Sequence, residues 1–200
     1  MIVDRTNKFA RRIPAWLVYI MGGLPAGWFL YLGVTGGLGA EPIKALEHEL
    51  GEFALKLLIA GLCITPLRKH LGVNLIKFRR AIGIMTFVYV CLHLLVWLVL
   101  DVQIVSQIWA DILKRPYITV GMAGFALMIP LAMTSNNMSV RALGPKWRKL
   151  HKLTYPVAFL GALHFVMVAK GIQLEPLIYM AVVLGLLALR IPRRSARVAG

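Results

Sequence analysis

Residues 79–101 read RRAIGIMTFVYVCLHLLVWLVLD: two arginines, twenty residues without a formal charge, then an aspartate. An apolar run of that length reads as a bilayer-crossing helix with its basic end on the cytoplasmic side. Inside it, His93 stands 13 residues beyond Arg80. The same interval recurs later, where His164 follows His151 of the basic cluster Arg148, Lys149, His151 and Lys152 by 13 residues. At 1.5 Å per helical residue each climb is about 20 Å. Two spans entering from one side would therefore hold His93 and His164 level, about two thirds of the way across a ~30 Å hydrocarbon core. An imidazole is costly to bury in lipid unless it is used, and a facing pair is what an iron porphyrin needs as axial ligands.

The rest of the chain has the same character. Of its 200 residues 59% are hydrophobic and only 16% charged, a membrane composition. Six stretches approach the length of a crossing: Pro14 to Val34, Leu50 to Leu67, Ala81 to Leu100, Tyr117 to Thr134, Leu153 to Ala169 and Pro176 to Leu189. The expectation is an all-α integral membrane protein, a bundle of six transmembrane helices forming one domain over residues 1–200.

The net charge of +15 would suggest nucleic acid in a soluble protein, but its distribution excludes that reading. Of 23 basic residues, 18 fall in the N-terminal tail, the second and fourth connections and the C-terminal tail (Arg190, Arg193, Arg194, Arg197). The intervening connections carry Glu41, Glu47, Glu49, Asp101, Asp111 and Glu175. The positive-inside rule then puts both termini in the cytoplasm, in agreement with an even number of spans. The first span is too long for the apolar region of a signal peptide, and Thr35 to Ala40 read as a turn, so an uncleaved helix is expected. Cys63 and Cys91 lie in apolar runs outside any CxxC or CxxCH spacing, which makes them core residues and excludes covalent c-type haem. Gly22-Gly23 and Gly36-Gly37 lack the strand-and-helix context of a phosphate loop.

Between the third and fourth spans, Val105, Ile108, Trp109 and Ile112 recur at helical spacing, with Gln107, Asp111 and Lys114 turned elsewhere. This predicts an amphipathic helix in the outer interface, serving either as cover for the bundle or as a docking surface. Pro66, Pro116 and Pro176 are read at span ends, and Pro25, Pro130 and Pro156 within or near spans as kinks. Pro156 matters most, because it separates His151 from His164.

Two readings of the histidines stay open from the residues alone: haem ligation, or a small transporter or proton channel that uses them as a relay. A transporter would more often show an internal repeat and interrupted helices, and nothing in the second half mirrors the glycines of the first span. His151 lies at the cytoplasmic edge and in an ideal helix points about 140° away from His164, an offset that a kink at Pro156 would reduce. There it could serve a second, inner haem alone or with His70, or contact a quinone or flavin. His48 and His70 read as solvated or interfacial. Lys56, four residues after Glu52, reads as an ion pair whose lysine snorkels outward; a cation for a haem propionate is the sharper alternative.

Particular stretches carry a family likeness: Leu131-Ala-Met-Thr-Ser135, Arg141-Ala-Leu-Gly144, Trp147, Leu150-His151-Lys-Leu-Thr-Tyr155 and His164. Ala54-Leu-Lys-Leu-Leu58, Ile64-Thr-Pro-Leu67, Arg79-Arg80-x-Ile-Gly83, His93, Arg115-Pro-Tyr-Ile-Thr119 and Pro176-Leu-Ile-Tyr179 extend it from the second span to the last. On these the chain resembles the ferric-reductase-like transmembrane superfamily, which includes the NADPH oxidases. Within it, the chain is similar to haem-binding membrane subunits of the bacterial periplasmic methionine-sulfoxide reductase system. The resemblance implies an inner-membrane protein carrying one haem b, or two, with flavin mononucleotide as an associated cofactor. Electrons would come from the quinone pool or a cytoplasmic flavin reductase. They would pass to a periplasmic molybdenum-containing reductase, since the chain has no sulfoxide-reducing site of its own. The residues expected at cofactors are His93, His164 and His151 as iron ligands, with Arg148 beside His151.

Overall fold

The computed structural model describes residues 2–169 and 171–191. Lys170 and the tail arginines Arg193, Arg194 and Arg197 lie outside the described residues. The helices are α1 (Ile2–Arg12), α2 (Leu17–Thr35), α3 (Pro42–Leu71), α4 (Arg79–Val96), α5 (Val105–Lys114), α6 (Pro116–Met133), α7 (Asn137–Leu143), α8 (Pro145–Leu150), α9 (Thr154–Val168) and α10 (Leu174–Ala188), with α1, α7 and α8 in the basic tail and fourth connection and not in apolar runs. A 3-10 turn over Ile76–Phe78 leads into α4, another over His151–Leu153 joins α8 to α9, and a π-helical turn, Trp97–Val102, extends α4. No strand occurs among the described residues.

Among the described residues, four helical segments are long and apolar enough to cross a bilayer: Leu17–Thr35, Pro42–Leu71, Ile76–Val102 and Pro116–Met133. The chain is therefore a multi-pass membrane protein. The remaining expected spans appear as α9 and α10, apolar helices of 15 residues each. Such a helix rises only about 22 Å, short of a ~30 Å core. For α9 the backbone stays helical through the 3-10 turn back to Pro145.

The prolines act differently from expectation in two places. Pro66 lies inside α3, which runs on to Leu71 and ends at Gly72 in the left-handed conformation, its amide bonded to the Leu67 carbonyl. Pro156 sits in the first turn of α9, directly after the 3-10 turn at His151–Leu153, and so at the start of that helix and not in its middle. Pro25 and Pro130 do lie inside α2 and α6.

Helices α3, α4, α6 and α9 form a closed ring in which each packs on the next and α9 returns to α3. Outside the ring, α2 lies on α3 and α4, and α10 lies on α9 and α3. One cluster of the core joins Leu46, Leu50 and Ala54 of α3 to Met85, Tyr89 and Val96 of α4. The other joins Leu62 of α3 to Ala158 and Ala162 of α9 and Val183 of α10. The alanines, both 0% exposed, let these three helices approach closely, as small residues do between membrane helices.

The basic connections meet at one end of the ring. Asn7 of α1 donates to the Gly72 carbonyl (3.0 Å) and accepts from the Asn74 amide (2.8 Å), and Lys77 Nζ donates to the Arg11 carbonyl (2.9 Å). Arg80 Nη1 donates to Asn137 Oδ1 of α7 at 2.7 Å. The N-terminal helix, the second connection and the fourth thus share one face, as the alternation of charge requires.

At the opposite end α5 rests on α6, with Thr119 Oγ1 donating to the Ile112 carbonyl at 2.6 Å. Asp111 is buried and paired with Arg115 Nε at 3.1 Å. The expected single apolar face divides. Ile108 and Ile112 are half-buried, whereas Trp109 (63% exposed) and Leu113 (80%) face outward with Val105.

Candidate metal centre

His93 projects from α4 toward α3, and His164 from α9 toward α6. The rings are half-buried, and their centroids stand 6.2 Å apart with planes at 79°. Each ring is tied by one nitrogen to a backbone carbonyl: Nδ1 of His93 lies 2.8 Å from the Glu47 oxygen, and Nδ1 of His164 lies 2.7 Å from the Tyr117 oxygen. A carbonyl oxygen only accepts, so each Nδ1 carries the proton and each Nε2 keeps its lone pair. A hydrogen bond of this kind, made by the nitrogen that does not face the metal, is how proteins set the tautomer of a metal-binding histidine.

The separation also suits one ion. Two metal–imidazole bonds of about 2.0–2.1 Å each, plus the step from nitrogen to ring centre on both sides, total about 6 Å. Two neutral imidazoles with free Nε2 atoms at this spacing fit an axial pair on an iron porphyrin. Among the described residues there is no cluster of three or more His, Cys, Asp or Glu side chains that would hold a bare metal ion instead.

The aromatic and apolar side chains near the pair take different directions. Phe87 of α4 stacks on Phe125 of α6, with centroids 5.9 Å apart and planes nearly parallel at 1°, inward of the histidines. Trp97 is buried at the start of the π-helical turn, one helical turn past His93. Phe165 instead turns to His48 (5.6 Å) and Tyr179 (5.5 Å), while Phe159 and Met167 face outward.

His151 stands at the other end of the same helix. Its Nε2 lies 3.1 Å from Thr134 Oγ1, and its ring stacks on Trp147 at 3.8 Å and 24°. Trp147 Nε1 donates to the Thr134 carbonyl at 2.8 Å, which closes a three-residue unit. Tyr117 and Thr134, the α6 contacts of His164 and His151, are 17 residues apart, or about 25 Å of helix. Both histidines contact α6, and the 3-10 turn at His151–Leu153, which winds more tightly than an α-helix, takes about 60° off the ideal angular offset. Burial, with Arg79 and then Arg80 nearby, holds the His151 imidazole below the usual histidine range, so the ring is neutral at pH 7.

Arg148 is exposed on α8. His70 is exposed at the end of α3, and His48 is exposed beside Phe165. Lys56 makes the ion pair expected of it, 2.6 Å from Glu52, and Tyr179 donates to the same carboxylate at 2.9 Å.

Sequence reasoning missed the carbonyls of Glu47 and Tyr117, and it missed Gly51, Gly121, Phe125 and Thr134. A carbonyl has no side-chain signature. The glycines were visible, but only the packing reveals that a Cβ on Gly51 would lie 3.0 Å from His93 Nδ1, and one on Gly121 3.0 Å from His164 Nδ1.

Comparison with known proteins points the same way. Residues 50–162 match the family model for the ferric reductase like transmembrane component. A relative from Agrobacterium fabrum, named protein-methionine-sulfoxide reductase heme-binding subunit MsrQ, is 50% identical over 181 residues, covering 90% of this chain and 84% of the relative. Proteins of the same name from Brucella anthropi and Brucella ovis are 46% and 48% identical, each covering 91% of this chain and 83% of the relative. No solved structure matches the chain.

Proposed function

Since the chain belongs to the ferric reductase like transmembrane family, and within it to the MsrQ subunits, we propose that it is a haem-binding electron carrier of the bacterial inner membrane. It serves a periplasmic methionine-sulfoxide reductase and so supports repair of oxidised proteins. The observation that carries this reading is the His93–His164 pair, with both Nδ1 atoms held by carbonyls and the ring centres 6.2 Å apart. When bound, a haem supplies reversible one-electron chemistry that no side chain of this protein offers.

The chain's own groups do the rest. His93 and His164 hold the iron through Nε2, the carbonyls of Glu47 and Tyr117 orient the rings, and the stacked Phe87 and Phe125 keep water from the inward side. A proton relay is the poorer reading, because a relay imidazole exchanges protons at both nitrogens and here one of each pair is tied to a carbonyl. The basic end faces the cytoplasm by the positive-inside rule, with six spans in all, α9 and α10 being the last two. His151 and Arg148 mark the side that meets the reductant, a quinol or a flavin reductase, with flavin mononucleotide as a further group at that end. Delivery occurs at the outer end, where Asp101 lies in the turn that packs on α5 and, with Glu175 at the start of α10, supplies negative charge suited to a partner with a basic patch. The partner's molybdenum centre performs the sulfoxide reduction.

The test is a membrane assay with a periplasmic acceptor and a reductant confined to one side. Reduction of the acceptor should require both His93 and His164. An undiminished rate after both are removed contradicts the proposal.

A further inference from the structure

The two half-sites are built alike. Glu47 and Gly51 of α3 face His93 of α4, and Tyr117 and Gly121 of α6 face His164 of α9. In both, a carbonyl accepts the Nδ1–H and a glycine stands four residues further on. The histidine follows its acceptor by 46 residues in one case and 47 in the other. The ring of four helices thus holds the same arrangement twice, once between α3 and α4 and once between α6 and α9.

The spacing of four has a physical cause. In an α-helix the carbonyl of residue i already accepts the N–H of residue i+4. A side chain that also uses that carbonyl takes its second lone pair. As these two rings approach, they lie against the backbone at i+4, where a Cβ would stand in the way. Built on Gly51, a Cβ would meet His93 Nδ1 at 3.0 Å and Cε1 at 3.2 Å; on Gly121 it would meet His164 Nδ1 at 3.0 Å and Cε1 at 3.1 Å. The obstruction falls on the ring atoms that make and flank the hydrogen bond.

We propose that Gly51 and Gly121 are positioning residues that let each imidazole lie on its neighbouring helix, so that carbonyl and glycine together fix both tautomers and cross the ring planes. This rests on the haem reading above and adds a consequence to it. Crossed axial imidazoles leave the two π-bonding iron d orbitals nearly degenerate, so a ferric haem between them gives a strongly anisotropic low-spin EPR signal. Parallel imidazoles give a rhombic one. The 79° between the rings requires the first kind.

The test uses the full chain in two forms, haem-loaded for EPR and haem titration, and haem-free with 15N-labelled histidine for tautomers by NMR. Gly51→Ala and Gly121→Ala are compared with Gly185→Ala, where nothing lies within 4 Å of the added Cβ. In the wild-type chain both histidines should be Nδ1-protonated and the ferric signal strongly anisotropic. Gly51→Ala should disturb the tautomer of His93 alone, and Gly121→Ala that of His164 alone. Each should replace the anisotropic signal by a rhombic or high-spin one and weaken haem binding about 10-fold or more. Gly185→Ala should change none of these, and a packing defect without the device would not select one histidine at a time. Wild-type tautomers, signal and affinity in both alanine variants would overturn the proposal. So would Nε2-protonated rings or a rhombic signal in the wild-type chain, which needs no variant to fold. A wild-type chain that takes up no haem overturns the haem reading instead, and the haem-free tautomers still judge the glycines.

Discussion

Replacing His151 by glutamine separates the two ends of the molecule. The ring makes one hydrogen bond, to Thr134 Oγ1 at 3.1 Å, and one stacking contact, with Trp147 at 3.8 Å. A neutral hydrogen bond contributes about 0.5–1.5 kcal/mol and an aromatic pair about as much again, so the substitution should cost roughly 1–3 kcal/mol. The damage stays local, because Thr134 keeps its bond to the Pro130 carbonyl and Trp147 keeps its bond to the Thr134 carbonyl. With about 25 Å of helix between the α6 contacts of His151 and His164, the haem between His93 and His164 should remain. Haem-to-protein ratio, thermal unfolding in detergent and the rate of reduction from the basic side would be measured beside His164→Ala. The expected result is a modest fall in unfolding temperature, slowed reduction and nearly full occupancy with an unchanged spectrum. Haem loss equal to that of His164→Ala would refute the separation and put His151 in the same site.

Three further predictions follow from the packing. Tyr179→Phe removes a donor to Glu52, whose side chain is only 11% exposed, and should destabilise the fold by about 1.5–3 kcal/mol in chemical unfolding, as for other hydrogen bonds to charged groups. Ala158→Leu forces a larger side chain between α9, α3 and α10 and should cost about 1–3 kcal/mol, read as a lower unfolding temperature. Trp109→Asp on the outward face of α5 should leave haem content unchanged and slow transfer to the periplasmic acceptor; an unchanged transfer rate would assign that face to lipid alone.

What could be read from the sequence was what side-chain chemistry and periodicity encode. The apolar runs gave the helices, the matched 13-residue climbs brought His93 and His164 together, and the alternating basic connections converge on one face. Features made by backbone geometry could not be read. The tight turn at His151–Leu153 redirects His151 toward α6, and α3 begins at Pro42, eight residues before its apolar run, because a helix with a polar outer turn still packs through Leu46. The outward turn of Trp109 followed from the burial of Asp111 with Arg115, which rotates α5 away from its most apolar face. The carbonyl–glycine device stayed hidden because it is a property of two helices in contact.

The claim on which everything rests is that His93 and His164 bind one haem between them, and the optical spectrum of the purified chain with its haem-to-protein ratio tests it most directly. The wild-type protein should show a low-spin b-type spectrum, lost or converted to high spin in both His93→Ala and His164→Ala and kept in His48→Ala and His70→Ala. A colourless wild-type protein from haem-sufficient cells, or an unchanged spectrum in both His93→Ala and His164→Ala, would contradict it.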